Sequence, residues 1–417
     1  MKTVSMIALG LALALGAAAQ PAMAKKKDAA PAAKYSPEIA KGYDAAQKAY
    51  QAGDVAGATT QYQALKAAAQ TPDDRNVLGR LAIGIGQKSN NEALITEGVD
   101  MVLASGKASP EEQSSFALFQ GKLAYQAKDY AKAEAALIRA QQAGNTSPDL
   151  VPLLVDAQAR SGKRLAAVTM LQEAIAKQTA AGQQVPSEWY GRGLDIAYAA
   201  KPTEADRPQV NAVATKLSNQ WLSSYPTKKN WRVALINYSI VYKIDNDQRI
   251  DMWRLLRAAG AMAGQNDYNE YAELVYMKNP GEAKAVLDEG VAAGAVSLTS
   301  DRNAGEINNI VKGKVAADRA SLASTEKAAQ SSATGRIALA AGDGYFGYGD
   351  YAKAITLYKL ALTKGGVDAA TVNRRLGIAY YRSGQKDLAK QAFAAVTGPS
   401  QPLAQYWTTL VDHPATA

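Results

Sequence analysis

From Asp350 onward the apolar positions fall on one stripe: Ala354, Leu357, Tyr358, Ala361 and Leu362 recur at steps of three, one, three and one. That spacing predicts an amphipathic helix. Asp350 stands where an N-cap belongs, its carboxylate placed to accept the backbone N–H of Ala352 or Lys353. Before it lies the glycine-rich "GDGYFGYG", and before that Ile337–Tyr345 reads as a second, shorter helix. The unit is a helix, a tight turn and a helix. The phrase "DYAKA" that opens its second helix also occurs at Asp129–Ala133, 221 residues earlier, again followed by a helical stripe.

The layout recurs along the chain. Gly377 follows Gly342 by 35 residues, and Tyr380 stands to Gly377 as Tyr345 stands to Gly342. Ala389 and Phe393 correspond to Ala354 and Tyr358. The frame also fits Gly121, Ala133, Leu137 and Ala140; Gly53, Ala58 and Tyr62; and Gly162, Ala167, Leu171 and Ala174. Ala133 to Ala167 is 34 residues and Ala354 to Ala389 is 35. A period near 34 with a G-x2-Y…A-x3-[FY]…A skeleton resembles the tetratricopeptide repeat. Small residues sit where two helices approach closely, and a larger one fills the gap to the next repeat. No single repeat buries its stripe alone, so several must stack. The resemblance implies an all-α solenoid of helix-turn-helix repeats.

It is clearest over 38–182 and 335–399. In between, Trp189 with Gly193, Trp231 with Tyr238, and a shortened repeat carrying Ala283 and Leu287 keep parts of the pattern off the 34-residue spacing. The expected organisation is a signal peptide at 1–24, a flexible basic leader at 25–37 and an N-terminal array at 38–295, irregular from about 187. Residues 296–334 are sparse in apolar positions and read as a connecting helix over Glu306–Gln330 or hinge, with a partly disordered insert as the alternative. C-terminal repeats at 335–417 end in a capping helix, in which Trp407 covers the last repeat.

The N-terminus "MKTVSMIALGLALALGAAAQPAMAKKK" has a lysine, an apolar run over Met6–Ala19 too short to span a bilayer, and a small-x-small site at Ala22–Ala24. Cleavage there starts the mature chain at Lys25. No later stretch reads as a membrane span, so an exported, periplasmic product is expected, with secretion or an uncleaved anchor as alternatives. Of 417 residues, 47 are Lys or Arg and 38 Asp or Glu, a net charge of +9; losing Lys2 leaves +8.

Composition then narrows the chemistry. Apolar residues make up 47%, but aromatics only 7%; much of the rest is alanine, a strong helix former with little bulk. There is no cysteine, which removes disulfides, thiolate metal sites, cysteine nucleophiles and lipoprotein acylation. One histidine, His413, near the C-terminus, leaves no room for a multi-histidine metal site and reads as a solvated tail residue. No phosphate loop, dinucleotide fingerprint or HExxH occurs. "DNDQRID" at Asp245–Asp251 lacks the central Gly and terminal Glu of a calcium loop and reads as a solvated interhelical turn. No enzyme activity, cofactor or nucleic-acid partner is expected.

Four of the five tryptophans, Trp189, Trp221, Trp231 and Trp253, fall within 65 residues, among tyrosines and Lys228, Lys229, Arg232, Arg249, Arg254 and Arg257. Two readings stand: an aromatic platform for a peptide, glycan or partner helix, or rings filling gaps between irregular repeats. Tetratricopeptide arrays bind partners along the concave face of their first helices. The resemblance therefore implies partner-binding positions at Tyr50, Tyr125, Phe346, Arg374, Tyr381 and Arg382, to which the middle stretch adds Trp189 and Trp231. The expected function is a non-catalytic scaffold binding a protein or peptide in a cell-envelope process. The alternative is binding of an anionic polysaccharide or peptidoglycan through the aromatic and basic middle.

Overall fold

The computed structural model describes residues 33–199 and 207–417. The signal peptide and residues 25–32 of the leader lie outside the described residues. The fold is an all-α solenoid. Contacts divide it into two compact units, one up to Ala167 and one from Val168 onward, the boundary falling inside a helix.

Unit 1 holds α1 (Pro37–Gln51), α2 (Val55–Lys66), α3 (Pro72–Ser89), α4 (Glu92–Ala104), α5 (Pro110–Gln126), α6 (Tyr130–Gln142), α7 (Leu150–Arg160) and the start of α8 (Arg164–Ala180). The helices pair as α1–α2, α3–α4 and α5–α6. Local chemistry sets their ends. Asp129 accepts the N–H of Lys132 at 3.1 Å. Thr71 with Asp74 and Ser109 with Glu112 form capping boxes, each followed by proline at the first helical position. In the hairpin turns the residue just before the cap is left-handed: Gly53 at φ 82° and, in the first "DYAKA" turn, Lys128 at φ 62°.

Unit 2 continues with α9 (Ser187–Ala199), α10 (Arg207–Ser224), α11 (Lys228–Tyr242), α12 (Asn246–Ala258), α13 (Gln265–Val275), α14 (Pro280–Ala292), α15 (Arg302–Ser331), α16 (Arg336–Gly347), α17 (Tyr351–Lys364), α18 (Ala369–Arg382), α19 (Lys386–Ala394) and α20 (Gln401–Asp412). Asp350 caps α17 through Lys353 N–H at 3.1 Å, and Gly349 before it has φ 80°. The two "DYAKA" phrases thus perform the same task in both units.

The tetratricopeptide-like skeleton is visible as packing. A side chain on Gly121 would strike Leu137, one on Gly342 would strike Tyr358, and one on Gly377 would strike Phe393, each within 2.7 Å. All three pairs are 16 residues apart in sequence. Ala58, Ala133, Ala354 and Ala389 on the second helices are fully buried. α15 is a 30-residue helix that packs against both α14 and α16. Asp301 caps it, and it buries one face, through Ala304, Ile307, Val311, Leu322 and Ala329, against its neighbours. Ala283 and Leu287 of the shortened repeat are fully buried on α14.

Unit 2 closes on itself. α20 returns to α10, where the Thr409 hydroxyl donates to Asn219 at 2.6 Å. Beyond it Thr416 pairs with Thr227, Lys228 N–H donating to Thr416 and Thr416 N–H to Pro226. Tyr406 meets Tyr238 edge to face at 5.5 Å, and Trp407 stacks on Phe393 at 5.8 Å. His413 is half-buried at the end of α20, its N–H bonded to Thr409. Among the described residues no helix is long and apolar enough to cross a membrane.

Candidate functional site

The closure of unit 2 brings α12 against α18, and charge makes the joint. Asp251 is fully buried; Arg374 Nε donates to it at 2.6 Å and Arg254 Nη1 at 2.8 Å. Arg254 also grips Glu282 through two nitrogens, at 2.8 and 2.6 Å, and Tyr271 donates its hydroxyl to the same carboxylate at 2.7 Å. Arg375 reaches Asp343 at 2.6 Å and Asp247 at 2.7 Å. Burial alone would raise the Asp251 and Glu282 pKa values. The guanidiniums of Arg374, Arg375 and Arg254 around Asp251, and of Arg254 beside Glu282, outweigh it and hold both below the usual carboxylate range. Burial pushes the Tyr271 hydroxyl well up, so it stays a neutral donor. The segment read as a solvated turn at Asp245–Asp251 is therefore corrected: Asp245 caps α12 through Gln248, and Asp251 lies in the interior. A helix period, not a loop, spaces its acids.

Above this network a cavity of about 190 Å³ opens between α12, α13, α14, α16 and α18. Phe346 forms part of its wall, with the Arg254 guanidinium 4.5 Å from its ring. Tyr348 and Tyr351 follow in the next turn, and Arg257 and Arg382 bring two further cations. Arg257 Nε donates to Glu289 at 2.7 Å; exposed Arg382 bonds the Tyr351 hydroxyl through Nε at 3.1 Å. With Glu282 committed to Arg254 and Tyr271, and Arg257 to Glu289, the cavity presents aromatic walls and one exposed cation at its rim, Arg382. It suits a carboxylate carried on a small apolar or aromatic group.

Two of the eight sequence-derived positions, Phe346 and Arg382, meet here. The others are dispersed. Arg374 is fully buried and serves the Asp251 joint, so it offers no surface to a partner. Tyr381 is half-buried on the edge of Trp407 at 5.5 Å. Trp231 is fully buried. Tyr50 lies across Gly84, with Lys88 Nζ 4.0 Å from its ring centre. Tyr125 donates to Asp156 of the following repeat, under Arg160. First-helix aromatics in unit 1 thus join one repeat to the next, leaving one face half open. Of the clustered tryptophans, Trp221, Trp231 and Trp253 belong to the interior at 8% exposure or less. Only Trp189 is partly exposed. The aromatic platform of the middle stretch is corrected accordingly: its rings fill the space between irregularly spaced helices. Four of its six cations are committed, Arg232 to Asp267, Arg249 to Glu270, Arg254 to Glu282 and Arg257 to Glu289.

Tyr348, Tyr351 and Glu282 carried no sequence signal for this cavity, because four separate stretches of the chain supply it, α12, α13 with α14, α16 with the start of α17, and α18, and their spacing departs from the repeat period. Arg257 could be seen as one basic residue among many, but not its position beside Phe346. Among the described residues no three metal-ligating side chains converge.

No family model matches the chain, and no curated protein is similar to it. The solved structures it resembles include Naa15/Naa10 bound to HypK-THB, at 15% identity and a TM-score of 0.29 over 85% of this chain and 63% of that one. They also include the APC/C hetero-tetramer Cut9-Hcn1, at 12% identity and a TM-score of 0.23 over 83% of this chain and 68% of that one. The yeast Tom70 is a third, at 10% identity and a TM-score of 0.22 over 90% of this chain and 95% of that one. The chain thus spans less than two thirds of the first of these and is similar to all three at low identity.

Proposed function

We propose that this chain is a non-catalytic scaffold that binds a protein or peptide partner in the cell envelope after export. The observation that carries the reading is the cavity of unit 2, where Phe346, Tyr348 and Tyr351 wall a space with the exposed cation Arg382 at its rim. Its size admits one side chain or a chain terminus rather than a whole small molecule, since ligand pockets usually run about 300–1,000 Å³. Its rim favours a carboxylate. Such a cavity serves as an anchor within a wider contact, in the way buried aromatic and arginine anchors dominate interfaces. The basic, cleavable N-terminus supports export.

The test is crosslinking and affinity purification from envelope extracts with the wild-type chain and with Arg382→Glu, an exposed position whose reversal spares the core. A reproducible partner retained at least tenfold less by Arg382→Glu is the expected result. A partner held equally by both chains counts against the cavity, and no reproducible partner counts against the scaffold reading. Fractionation with N-terminal sequencing is expected to find a periplasmic chain starting at Lys25; a cytoplasmic chain beginning at Met1 would remove the envelope from the proposal.

A further inference from the structure

A second opening in unit 2 shares no lining residue with the arginine-rimmed cavity. It is a groove of about 630 Å³ lined by α11, α12 and α13 and by the turn between the first two. That volume lies within the usual range for a small-molecule site, about 300–1,000 Å³. Helix periodicity builds it. Ile236, Ser239, Ile240 and Lys243 follow at steps of three, one and three, so one face of α11 and its C-cap form a wall. Met252 and Trp253 of α12 and Ile244 of the turn give a buried apolar surface, and Ile240 stands 68% exposed.

The polar groups of the lining narrow the ligand. Arg232 of α11 grips both carboxylate oxygens of Asp267 on α13. Asp267 also accepts the N–H of Ala263 at 2.7 Å, so it is fully engaged. This bridge joins the two outer helices across the groove, which suits a compact ligand rather than a continuous chain. Arg249 faces Glu270 across 3.7 Å, too far for a hydrogen bond. Three cations against two carboxylates leave one positive charge over. It falls to Lys243, which is exposed and makes no ion pair among the described residues. The second unmatched group is a donor. Trp253 is 2% exposed, and its buried indole N–H has no acceptor in the protein, although buried tryptophan N–H groups usually find one.

We propose that this groove binds a small organic monoanion, a carboxylate or sulfonate carried on an apolar body. The anionic group meets Lys243. The body lies over Met252, Trp253 and Ile244, and an oxygen or ring face upon it serves the indole N–H. A cationic ligand has no acid to meet, since Asp267 is held by Arg232 and Ala263, and Glu270 stands opposite Arg249. A second negative charge on the ligand would have no free cation. The site goes beyond the scaffold reading and does not depend on it.

The probe is anilinonaphthalene sulfonate, with the neutral phenylnaphthylamine of the same ring skeleton as its comparison. Titrated into the full chain at low salt, the sulfonate is expected to saturate at one site and to quench tryptophan emission less in Trp253→Phe than in wild type. The neutral analogue is expected to bind about tenfold more weakly, as the loss of one charge-assisted hydrogen bond implies. Lys243→Asn removes the charge at a φ of 48°, which asparagine tolerates, and is expected to weaken the sulfonate by a similar factor. Lys243→Arg is expected to restore it. Ser239→Trp fills the groove and is expected to abolish binding, whereas Lys312→Glu, an exposed charge reversal on α15, leaves it unchanged. Circular dichroism and thermal melting check the variants; should Ser239→Trp misfold, Ile240→Trp at the exposed position replaces it. Equal binding of the sulfonate to Lys243→Asn and wild type overturns the proposal. So does equal affinity for the neutral analogue, or the absence of saturable binding.

Discussion

At the scale of single residues, Asp251 decides more than any other side chain in unit 2. Three guanidiniums converge on one fully buried carboxylate. Removing one partner of a buried ion pair is strongly destabilising, about 3–5 kcal/mol, because the remaining charge is left without compensation. Asp251→Ala is expected to lower the unfolding free energy, measured by urea denaturation, by an amount in that range. Asp251→Ala combined with Arg374→Met is expected to lose less than the two single changes added, since the second removes a stranded charge. Acid acts on the same groups. Asp251 and Glu282 have folded pKa values below their unfolded ones, about 3.9 and 4.3. Their contribution is complete above about pH 5 and is lost as pH falls through the lower folded values. Asp343, pushed up by burial, works in the opposite sense, its contribution fading as pH rises through its folded value. Urea midpoints between pH 7 and pH 3 are expected to fall steeply for the wild type and less steeply for Glu282→Gln, which starts from a lower value.

Individual helices and hairpins follow rules that the chain displays openly. The caps at Asp129 and Asp350, the small residues at Gly121, Gly342 and Gly377, and the stripes behind them were all legible, because each depends on neighbours within about one repeat. Asp129→Ala and Asp350→Ala are each expected to lower stability by about 1 kcal/mol in urea unfolding. Lys128 holds the left-handed turn position that glycine holds at Gly53 and Gly349. Relief of that backbone strain is expected to make Lys128→Gly more stable by up to about 1 kcal/mol. α3 and α4 cross where Gly79 and Gly98 meet, and a Cβ on Gly98 would stand 2.5 Å from the Gly79 carbonyl oxygen. Backbone cannot step aside as a side chain does, so Gly98→Ala is expected to destabilise by about 1–3 kcal/mol, read from the thermal midpoint. What was not legible in the sequence concerns partners far apart. Arg374 resembled a first-helix surface cation, but its acceptor Asp251 lies 123 residues earlier. Trp231 resembled a platform residue, and the interior that claims it is assembled from helices whose order of stacking no local spacing reveals.

For the molecule as a whole, the return of the C-terminal segment governs unit 2. Truncation after Ser400 is expected to expose the faces of Phe393, Tyr381 and Tyr238 that Trp407 and Tyr406 cover. Burying one large side chain fully contributes about 1.5–3 kcal/mol, so losing two aromatic covers should depress the melting temperature markedly and raise binding of a hydrophobic dye. The arginine-rimmed cavity keeps all its lining residues in the same truncation. Contacts of such long sequence separation also slow folding, since loop closure must precede them. Refolding of unit 2 is expected to trail unit 1 in stopped-flow fluorescence, with its tryptophans reporting the later phase.

The pairing of Thr227 with Thr416 has one more consequence, for how such a chain can change its length over evolutionary time. An open stack of hairpins tolerates duplication or loss of a repeat, because each unit contacts only its neighbours. Between Thr227 and Thr416 that freedom is gone: one added hairpin of about 34 residues would carry α20 away from α10, and one deleted hairpin would leave it short. Unit 2 is therefore locked at its present repeat number, and indels of whole hairpins belong to the stretch before it.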